Sequence, residues 1–315
     1  MNSLLENGLS DPEKTEVLVA LNKRVIRKQE LAGFVATVRR EMIPFPLEIT
    51  GALDICGTGG DKTGSFNIST TAAFVIAGAN VTVVKHSNRA ASGRSGTGSA
   101  DVLDALGVDL SMSLGGLRAA IGSIGIGILY APRFHPRLAG IASLRRSLGV
   151  PTIFNMIGPL VNPAPVQFHC IGVSSIPALQ VMADVVQEET EKSDVRFAFV
   201  HGTSGTDEIS LAEPTIVAEI QAGRQKSYRL THSDFGLPKN SSESLRLENS
   251  FLARQAVFDV LSGKKGPKRD VVLANAGLAL KFVGKTETLR EGVLLAAQSV
   301  DSGAAMRKLE WLRAL

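Results

Sequence analysis

The sequence predicts an α/β protein with a small, mainly helical domain and a large α/β domain built around a central, largely parallel sheet. From Leu53 onward, apolar runs of strand length alternate with helical patterns across short connections, as parallel strands with crossover helices require. Residues 1–48 instead show helical periodicity. A chain of 315 residues, 44% apolar and 20% charged, can bury a large core and has an ordinary globular composition.

Two helices are predicted before the first strand. Ser10 precedes Asp11-Pro12-Glu13, which is typical of a capped helix start, and a second helix begins near Lys28 or Gln29. Further along, the patterns predict helices at 100–106, 138–148, about 250–262, 271–282 and one last helix, and strands at 81–84, 121–129, 197–200, 215–220 and 226–230, the last two joined by a turn at 222–224. The stretch 152–162 is apolar and is broken by Gly158-Pro159.

A glycine-rich loop, Gly57 to Asp61, follows the first strand. Glycines let backbone N–H groups approach an anion, and the helix that begins near Asn67 would add its unpaired N-terminal donors. A Walker loop needs glycine before its lysine, and the dinucleotide fingerprint needs a third glycine where Lys62 stands. Both nucleotide motifs are therefore excluded, and a phosphate loop of another kind is predicted.

A second polar loop, Lys85 to Ser99, follows the strand predicted at 81–84. Cations and hydroxyls at the carboxyl end of a parallel strand lie where ligands bind in open α/β sheets. One such loop could be an ordinary surface turn. Two of them in one βαβ unit favour a polyphosphate ligand.

Asp207-Glu208 follows another strand, and paired carboxylates near a polyphosphate are ligands that Mg²⁺ uses. Adjacent carboxylates are also common on surfaces, so the pattern alone leaves both readings open. Arg145-Arg146 lie on a predicted helix, where a guanidinium can pair with a carboxylate or face solvent. Cys56 and Cys170 are far apart, which argues against a metal cluster and predicts buried thiols in a reducing compartment.

The net charge of +4 suits a phosphate-rich substrate and also a weak nucleic-acid surface, so charge does not decide between them. The polar N-terminus has no apolar signal region, and no apolar run is long enough to span a membrane. We therefore expect a cytoplasmic protein with no membrane partner and, because Lys and Arg are scattered, no nucleic-acid partner.

Several stretches, in order along nearly the whole chain, resemble motifs of the anthranilate phosphoribosyltransferases of tryptophan biosynthesis, which have a nucleoside phosphorylase/phosphoribosyltransferase-like fold. They are GTGGD, NIST, KHSNRAAS, GSADVLDALGV, APRFHP, LRRSLGVPTIFNMIGPLVNP, GTDEIS, DFGLP and DVVLANAGLAL. The resemblance implies transfer of phosphoribosyl from 5-phosphoribosyl 1-diphosphate to the amine of anthranilate, without a covalent nucleophile. It also implies a homodimer with two Mg²⁺ ions per subunit.

The resemblance assigns site residues by position. Those for phosphoribosyl diphosphate are Gly57, Gly60, Asp61, Ser65, Asn67, Ile68, Ser69, Thr70, Lys85, Asn88, Arg89, Ala90, Ala91, Ser92, Gly93 and Ser99. Those for anthranilate are Gly57, His86, Asn88, His135 and Arg145, and those for metal are Ser69, Asp207 and Glu208. His135 is placed near the entry route, and a structural histidine is an equal alternative.

The resemblance also implies the domain division. Residues 1–48, joined by a helical segment at about 138–162, would form the small domain, and residues 49–137 with 163–315 the α/β domain that binds phosphoribosyl diphosphate. Compared with the family, the chain begins about one helical hairpin later, so the dimer is less securely implied than the fold.

Three local differences from the family pattern bear on function. The family usually has glycine where Ser87 stands, the second loop is longer by Thr97-Gly98, and Arg137-Leu138-Ala139 replaces alanine-methionine-lysine. They bear on efficiency and on the identity of the acceptor more than on the fold, and a phosphoribosyltransferase for another aromatic amine is one alternative. The basic pI and the altered second loop leave open a non-catalytic relative that binds nucleic acid. A nucleoside phosphorylase of related architecture is a third alternative, which Arg145 and the Asp207-Glu208 pair weigh against.

Overall fold

The computed structural model describes residues 2–5, 8–61, 63–90, 98–247 and 249–315. Ala91, Ser92 and Gly93, which the resemblance assigns to the diphosphate site, lie outside the described residues, as does Thr97 of the lengthened loop.

The centre of the molecule is a seven-stranded sheet in the order β3-β2-β1-β4-β5-β6-β7. Pairings among the first five positions are parallel, whereas β6 and β7 are antiparallel. The strands are β1 (Leu53–Gly57), β2 (Val83–Ser87), β3 (Ile126–Tyr130), β4 (Phe168–Gly172), β5 (Arg196–Gly202), β6 (Thr215–Gln221) and β7 (Arg224–Leu230). The predicted α/β class with a largely parallel sheet is confirmed.

Helices cover both faces of this sheet. They are α1 (Asn2–Leu5), α2 (Asp11–Asn22), α3 (Lys28–Glu41), α4 (Ile68–Gly78), α5 (Ser99–Ala105), α6 (Leu114–Ile124), α7 (Ala131–Phe134), α8 (Ala139–Leu148), α9 (Ile153–Ile157), α10 (Ile176–Glu191), α11 (Ser250–Leu261), α12 (Pro267–Phe282), α13 (Leu289–Asp301) and α14 (Ala304–Arg313). Short 3-10 turns occupy Pro136–Leu138, Gly158–Leu160 and Ser242–Leu245. Among the described residues, no helix has the length and apolarity needed to cross a membrane.

The N-terminal helices form as their sequence predicts. The Glu13 carboxylate accepts hydrogen bonds from the Ser10 backbone N–H at 2.7 Å and from its hydroxyl at 2.6 Å, which closes the start of α2. Helix α3 begins at Lys28. Leu18 of α2 and Leu31 of α3 are fully buried in the core that α8, α9 and α10 share on one face of the sheet. The division into two domains stays a prediction.

The opposite face of the sheet carries the larger core. Helix α4 lies in its middle, with every residue from Thr70 to Ala77 buried, and α11 to α14 pack around it. Gly277 and Gly292 allow the closest contact between α12 and α13, because a Cβ on Gly277 would lie 2.9 Å from the Val293 backbone nitrogen.

Three sequence predictions were wrong. Residues 121–129 are not one strand, because α6 runs to Ile124 and Gly125, with φ of 81°, turns the chain into β3. The strand predicted at 81–84 is shifted to 83–87, so Lys85, His86 and Ser87 lie in a buried strand and not in a loop. The chain closes with α13 and α14 instead of one last helix, since Gly303 with φ of 74° separates them.

The remaining histidines each contact a neighbouring ring or carbonyl, and both cysteines are buried thiols, as predicted for the cysteines. His169 stacks on Phe197 with ring centres 4.5 Å apart, and His201 Nδ1 lies 2.7 Å from the Val173 carbonyl. His232 Nδ1 lies 3.0 Å from the Leu237 carbonyl oxygen. The two cysteines are free and buried.

Candidate active site

The predicted ligand loops meet at one edge of the sheet. β1 ends at Gly57 and β4 at Gly172, and these two residues are register partners in parallel strands. The turn after β5 carries Asp207 and Glu208 to the same edge. The first loop and the acidic pair, which are 148 residues apart at Gly59 and Asp207, are therefore in direct contact.

The acidic pair is held by backbone N–H groups. Asp207 Oδ2 accepts from Gly59 N at 2.7 Å, and Glu208 Oε1 accepts from Ser69 N, in the first turn of α4, at 3.0 Å. Gly57 leaves the space for this approach, since a Cβ there would lie 2.5 Å from Asp207 Oδ2. Gly57 of the predicted phosphate loop is therefore required, because a side chain there would occupy the space of the Asp207 carboxylate.

The surroundings of Asp207 and Glu208 disfavour the charged form of both carboxyls. Burial raises the pKa of Asp207 to about 7, and the neighbouring Asp61 acts in the same direction. Burial and then Asp207 raise the pKa of Glu208 well above its usual value. Acids crowded in this way gain from a cation, and their oxygens are the ligands that Mg²⁺ prefers. The donor set therefore fits the metal that the resemblance implies.

Protein groups would supply only part of a magnesium coordination sphere. In the part of the chain that the structure describes, no group of three or more His, Cys, Asp or Glu side chains could hold a metal ion. Asp61 Oδ2 instead accepts from the Thr63 hydroxyl at 2.5 Å. Mg²⁺ usually keeps several waters and shares phosphate oxygens, so two protein carboxylates are compatible with it.

The start of α4 presents donors beside the acidic pair. Asn67 occupies the N-cap position, and α4 begins at Ile68. The Thr70 hydroxyl is buried without a hydrogen-bond partner. Helix N-termini favour anions, and a buried unpaired hydroxyl adds a donor there. Ser65 lies just before the start of α4 and pairs with Arg246 in an isolated β-bridge.

Lys85 lies inside the sheet and not on a loop. Its side chain is 1% exposed, and its ammonium donates to the Ile55 carbonyl. Its charge lowers the pKa of Asp54 and of Glu208 against the larger effect of burial. Lys85 therefore acts in this structure as a buried positive charge behind the site.

His86 and His135, both assigned to anthranilate, contact each other. His86 Nδ1 lies 3.0 Å from the Gly158 carbonyl, so this nitrogen carries the proton and Nε2 accepts. Nε2 of His135, 3.2 Å away, is then the donor to His86. Burial lowers the pKa of His86 to about 3 and that of His135 to about 4, so both rings are neutral near pH 7. His135 is 3% exposed, and its ring is buried against that of His86.

Arg145 lies on the inward side of α8. Its guanidinium carbon is 5.1 Å from the centre of the Phe154 ring, and an Nη atom is 3.5 Å from Asn155 Oδ1. Its Nε is buried without a partner, and burial lowers its pKa to about 10. Arg146 is exposed, as a solvated helix face predicts. A half-buried guanidinium whose buried Nε has no partner suits an anionic ligand.

Asn155 is a site residue that sequence reasoning missed. Its amide donates to the Thr58 carbonyl at 3.0 Å, and its oxygen accepts from Thr152 N at 2.9 Å. It therefore connects Arg145 with the glycine-rich loop. The signal was present, since Asn155 is the polar residue in the apolar run IFNMI.

The second loop is fixed at both of its described ends. Arg89 pairs with Asp101 at 3.0 Å and with Asp104 at 2.8 Å. The Ser87 and Ser99 hydroxyl oxygens are 2.9 Å apart, so the serine that replaces the family's glycine bonds to a predicted site residue. Sequence reasoning missed Asp101, although it is the acid of the GSAD motif.

A parallel sheet with a phosphate-type loop, a helix N-terminus and an acidic pair at one edge is the arrangement expected of a transferase that acts on a phosphorylated sugar. In agreement, the sequence profile of the glycosyl transferase family, a/b domain, matches residues 50–306. A curated anthranilate phosphoribosyltransferase of Symbiobacterium thermophilum is 43% identical over 99% of this chain and 90% of its own length. One of Exiguobacterium sibiricum is 40% identical over 98% and 90%.

Solved structures agree with these relatives. The anthranilate phosphoribosyltransferase of Thermus thermophilus superposes with a TM-score of 0.88 at 38% identity, covering 99% of this chain and 92% of that one. The enzyme of Saccharomyces cerevisiae in complex with PRPP and Mg gives 0.86 at 27% identity, covering 98% and 88%. The same yeast enzyme is also known in complex with 4-fluoroanthranilate. The chain belongs to the anthranilate phosphoribosyltransferase family.

Proposed function

We propose that this protein transfers phosphoribosyl from 5-phosphoribosyl 1-diphosphate to the amine of anthranilate, giving N-(5-phosphoribosyl)anthranilate and diphosphate. The observation that carries the proposal is the contact of the acidic pair with the glycine-rich loop and α4, through the Gly59 and Ser69 backbone N–H groups. A nucleic-acid-binding relative would not need these buried acids.

The chemistry requires charge neutralisation and alignment. The amine nitrogen bonds to C1 of the ribose, the C1–O bond breaks with its electron pair going to diphosphate, and a proton leaves the nitrogen. Because the ribose carbon becomes positively charged as diphosphate leaves, the site must stabilise the departing anion and hold the amine in line. Neutral His86 and His135 suit the binding of an aromatic ring.

Asp207, Glu208 and Ser69 would hold Mg²⁺, and we propose two ions per subunit. Bound Mg²⁺ supplies charge neutralisation on the diphosphate. Burial and, after it, the neighbouring acids raise the pKa of Asp207 and Glu208, and this supports a divalent cation beside them. Backbone N–H groups of the glycine loop and of α4 would bind the phosphates.

We propose the remaining sites by residue position. Gly57, His86, Asn88, His135 and Arg145 would bind anthranilate, with Arg145 on its carboxylate. The diphosphate site would be formed by Gly57, Gly60, Asp61, Ser65, Asn67, Ile68, Ser69, Thr70, Lys85, Asn88, Arg89, Ala90, Ala91, Ser92, Gly93 and Ser99. The unpaired Thr70 hydroxyl and the buried Arg145 Nε support the two sites.

The domain division at 1–48 with 138–162, the cytoplasmic location and the homodimer are further proposals. The buried free thiols of Cys56 and Cys170 support a reducing compartment. Light scattering on the purified chain measures its oligomeric state.

Consumption of anthranilate tests the proposed function. We expect consumption only when phosphoribosyl diphosphate and Mg²⁺ are both present, and loss of activity when the metal is chelated. Nicotinate and 4-aminobenzoate serve as alternative acceptors, and inorganic phosphate with a nucleoside tests phosphorolysis. Turnover of one of these in place of anthranilate would reject the proposed acceptor.

A further inference from the structure

Two chain segments meet at the start of α5. Asn88–Ala90 leaves β2, and Gly98–Asp101 opens the helix. The Asp101 carboxylate contacts both: its Oδ2 accepts from Ala90 N at 3.0 Å and from Gly98 N at 2.9 Å. Its Oδ1 accepts from Arg89 at 3.0 Å. One side chain therefore fixes the distance between the two segments.

Close packing leaves this junction little freedom. A Cβ on Gly98 would collide with Ala90 N and lie 2.6 Å from the Arg89 carbonyl carbon. The Asn88 carbonyl accepts from Ala100 N at 3.0 Å, and Asn88 N donates to the Ser99 hydroxyl at 3.3 Å. These contacts hold Asn88 and Ser99 in one arrangement. Asp101 accepts hydrogen bonds from the backbone of both segments, at Ala90 and at Gly98.

The charge of Asp101 needs an explanation, because a carboxylate near a diphosphate site repels the ligand. Here two backbone N–H groups and a guanidinium surround it, so its charge is compensated locally. Asp104 also pairs with Arg89, at 2.8 Å, but its side chain is 56% exposed. Because Asp104 pairs with the same arginine as Asp101, a variant of Asp104 is a matched control for a variant of Asp101.

We propose that Asp101 is a positioning residue for phosphoribosyl diphosphate: it holds Asn88, Arg89 and Ser99 in the arrangement that binds this substrate. This inference rests on the proposed function. Asp101 does not itself touch the ligand in this account. It acts through the backbone of Ala90 and Gly98 and through the direction of the Arg89 side chain.

The test compares Asp101→Ala with Asp104→Ala in the full-length protein. Both variants remove a carboxylate from Arg89, and only the first releases Ala90 N and Gly98 N. We expect Asp101→Ala to raise the KM for phosphoribosyl diphosphate about tenfold or more, as loss of charge-assisted hydrogen bonds predicts, with the KM for anthranilate changed less than about twofold. Asp104→Ala should leave both KM values near wild type. Asp101→Asn, which keeps one acceptor oxygen, should lie between.

Binding of inorganic pyrophosphate with Mg²⁺, measured by calorimetry, gives a readout without turnover. The Kd should rise in Asp101→Ala and not in Asp104→Ala. Wild-type Kd and KM in Asp101→Ala would overturn the proposal, as would equal effects of the two variants or a parallel rise of both KM values with a large fall in Tm. If the wild type fails to consume anthranilate, the proposed function fails, and the pyrophosphate titration still decides the role of Asp101.

Discussion

The acidic pair is the clearest case of a residue-level conflict between stability and function. Asp207 and Glu208 are carboxyls whose pKa values are raised mainly by burial, so their ionised forms destabilise the fold. We expect Asp207→Asn with Glu208→Gln to lower turnover at least about a hundredfold while leaving Tm unchanged or higher. Asp184→Asn on α10, where the half-buried carboxylate accepts a hydrogen bond from Gln180, is the control. Ordinary turnover in the double variant would show that these carboxylates do not serve the reaction.

Arg145 and Arg146 offer a matched pair on one helix. Arg145 is half-buried over Phe154, whereas Arg146 is exposed. Arg145→Ala should raise the KM for anthranilate by the equivalent of roughly 1.5–3 kcal/mol, the worth of a hydrogen bond to a charged group, and affect phosphoribosyl diphosphate much less. Arg146→Ala should change neither. Similar rises for both substrates in Arg145→Ala would place this guanidinium away from the acceptor.

His169 makes a pH-dependent contribution to stability. Burial lowers its pKa to about 3, whereas an unfolded histidine titrates near 6.5. Protons therefore favour the unfolded chain, and the contribution is complete above pH 6.5 and is lost as the pH falls. Between pH 7 and pH 5 the free energy of unfolding should fall by about 2 kcal/mol through this residue.

Because the buried acids Asp54 and Asp207 titrate in the opposite sense, a variant must isolate the histidine. His169→Phe keeps the stacking on Phe197 and removes an unpartnered nitrogen. Chemical denaturation at pH 5 and pH 7 should show that this variant loses less stability on acidification than the wild type. An unchanged difference would mean that His169 is protonated in the folded protein.

At the scale of elements, sequence patterns predicted the features that depend on residues close together in the chain. The capped start of α2 and the strand-loop-helix order around Gly57 follow from hydrophobic period and cap residues. The end of α6 at Gly125 was missed, so helical residues 121–124 were assigned to the strand that begins at Ile126. Gly127 inside that strand has a packing reason, since a Cβ there would collide with the Ile121 side chain.

Lys85 and His86 were assigned to a loop because polar residues usually leave the core. Their strand buries them with specific partners: the Ile55 carbonyl for Lys85, and for His86 the Asp54 carboxylate, which accepts its backbone N–H at 3.1 Å. Such pairings join residues about thirty positions apart, so no local pattern reveals them. The roles of Arg145 and the acidic pair were likewise predicted from family resemblance and not from spacing.

The junction at α5 gives a prediction for an element. Gly98→Ala places a Cβ against the Ala90 backbone, which cannot move without shifting Arg89. We expect a higher KM for phosphoribosyl diphosphate and a lower Tm. Gly122→Ala on α6 is the control, because its Cβ meets open space and should stabilise the helix by about 1 kcal/mol. A Gly98→Ala variant with wild-type kinetics would show that this close packing is not needed for binding.

At the scale of the whole molecule, the parallel strands bring distant segments to one edge. The first loop and the turn after β5 meet there, with the α9 segment reaching the same loop through Asn155. Helices on both faces bury the sheet and fix these loops. The order of the strands in the sheet therefore brings together, at this edge, motifs that lie far apart in sequence.

The central claim is that this edge transfers phosphoribosyl to anthranilate with Mg²⁺. The most direct measurement is the ratio of diphosphate released to anthranilate consumed, followed in one reaction by mass spectrometry. We predict one diphosphate per anthranilate, a product with the mass of N-(5-phosphoribosyl)anthranilate, and no reaction without Mg²⁺ or in Asp207→Asn with Glu208→Gln. Diphosphate release that does not depend on anthranilate, or consumption that persists in the double variant, would contradict the account.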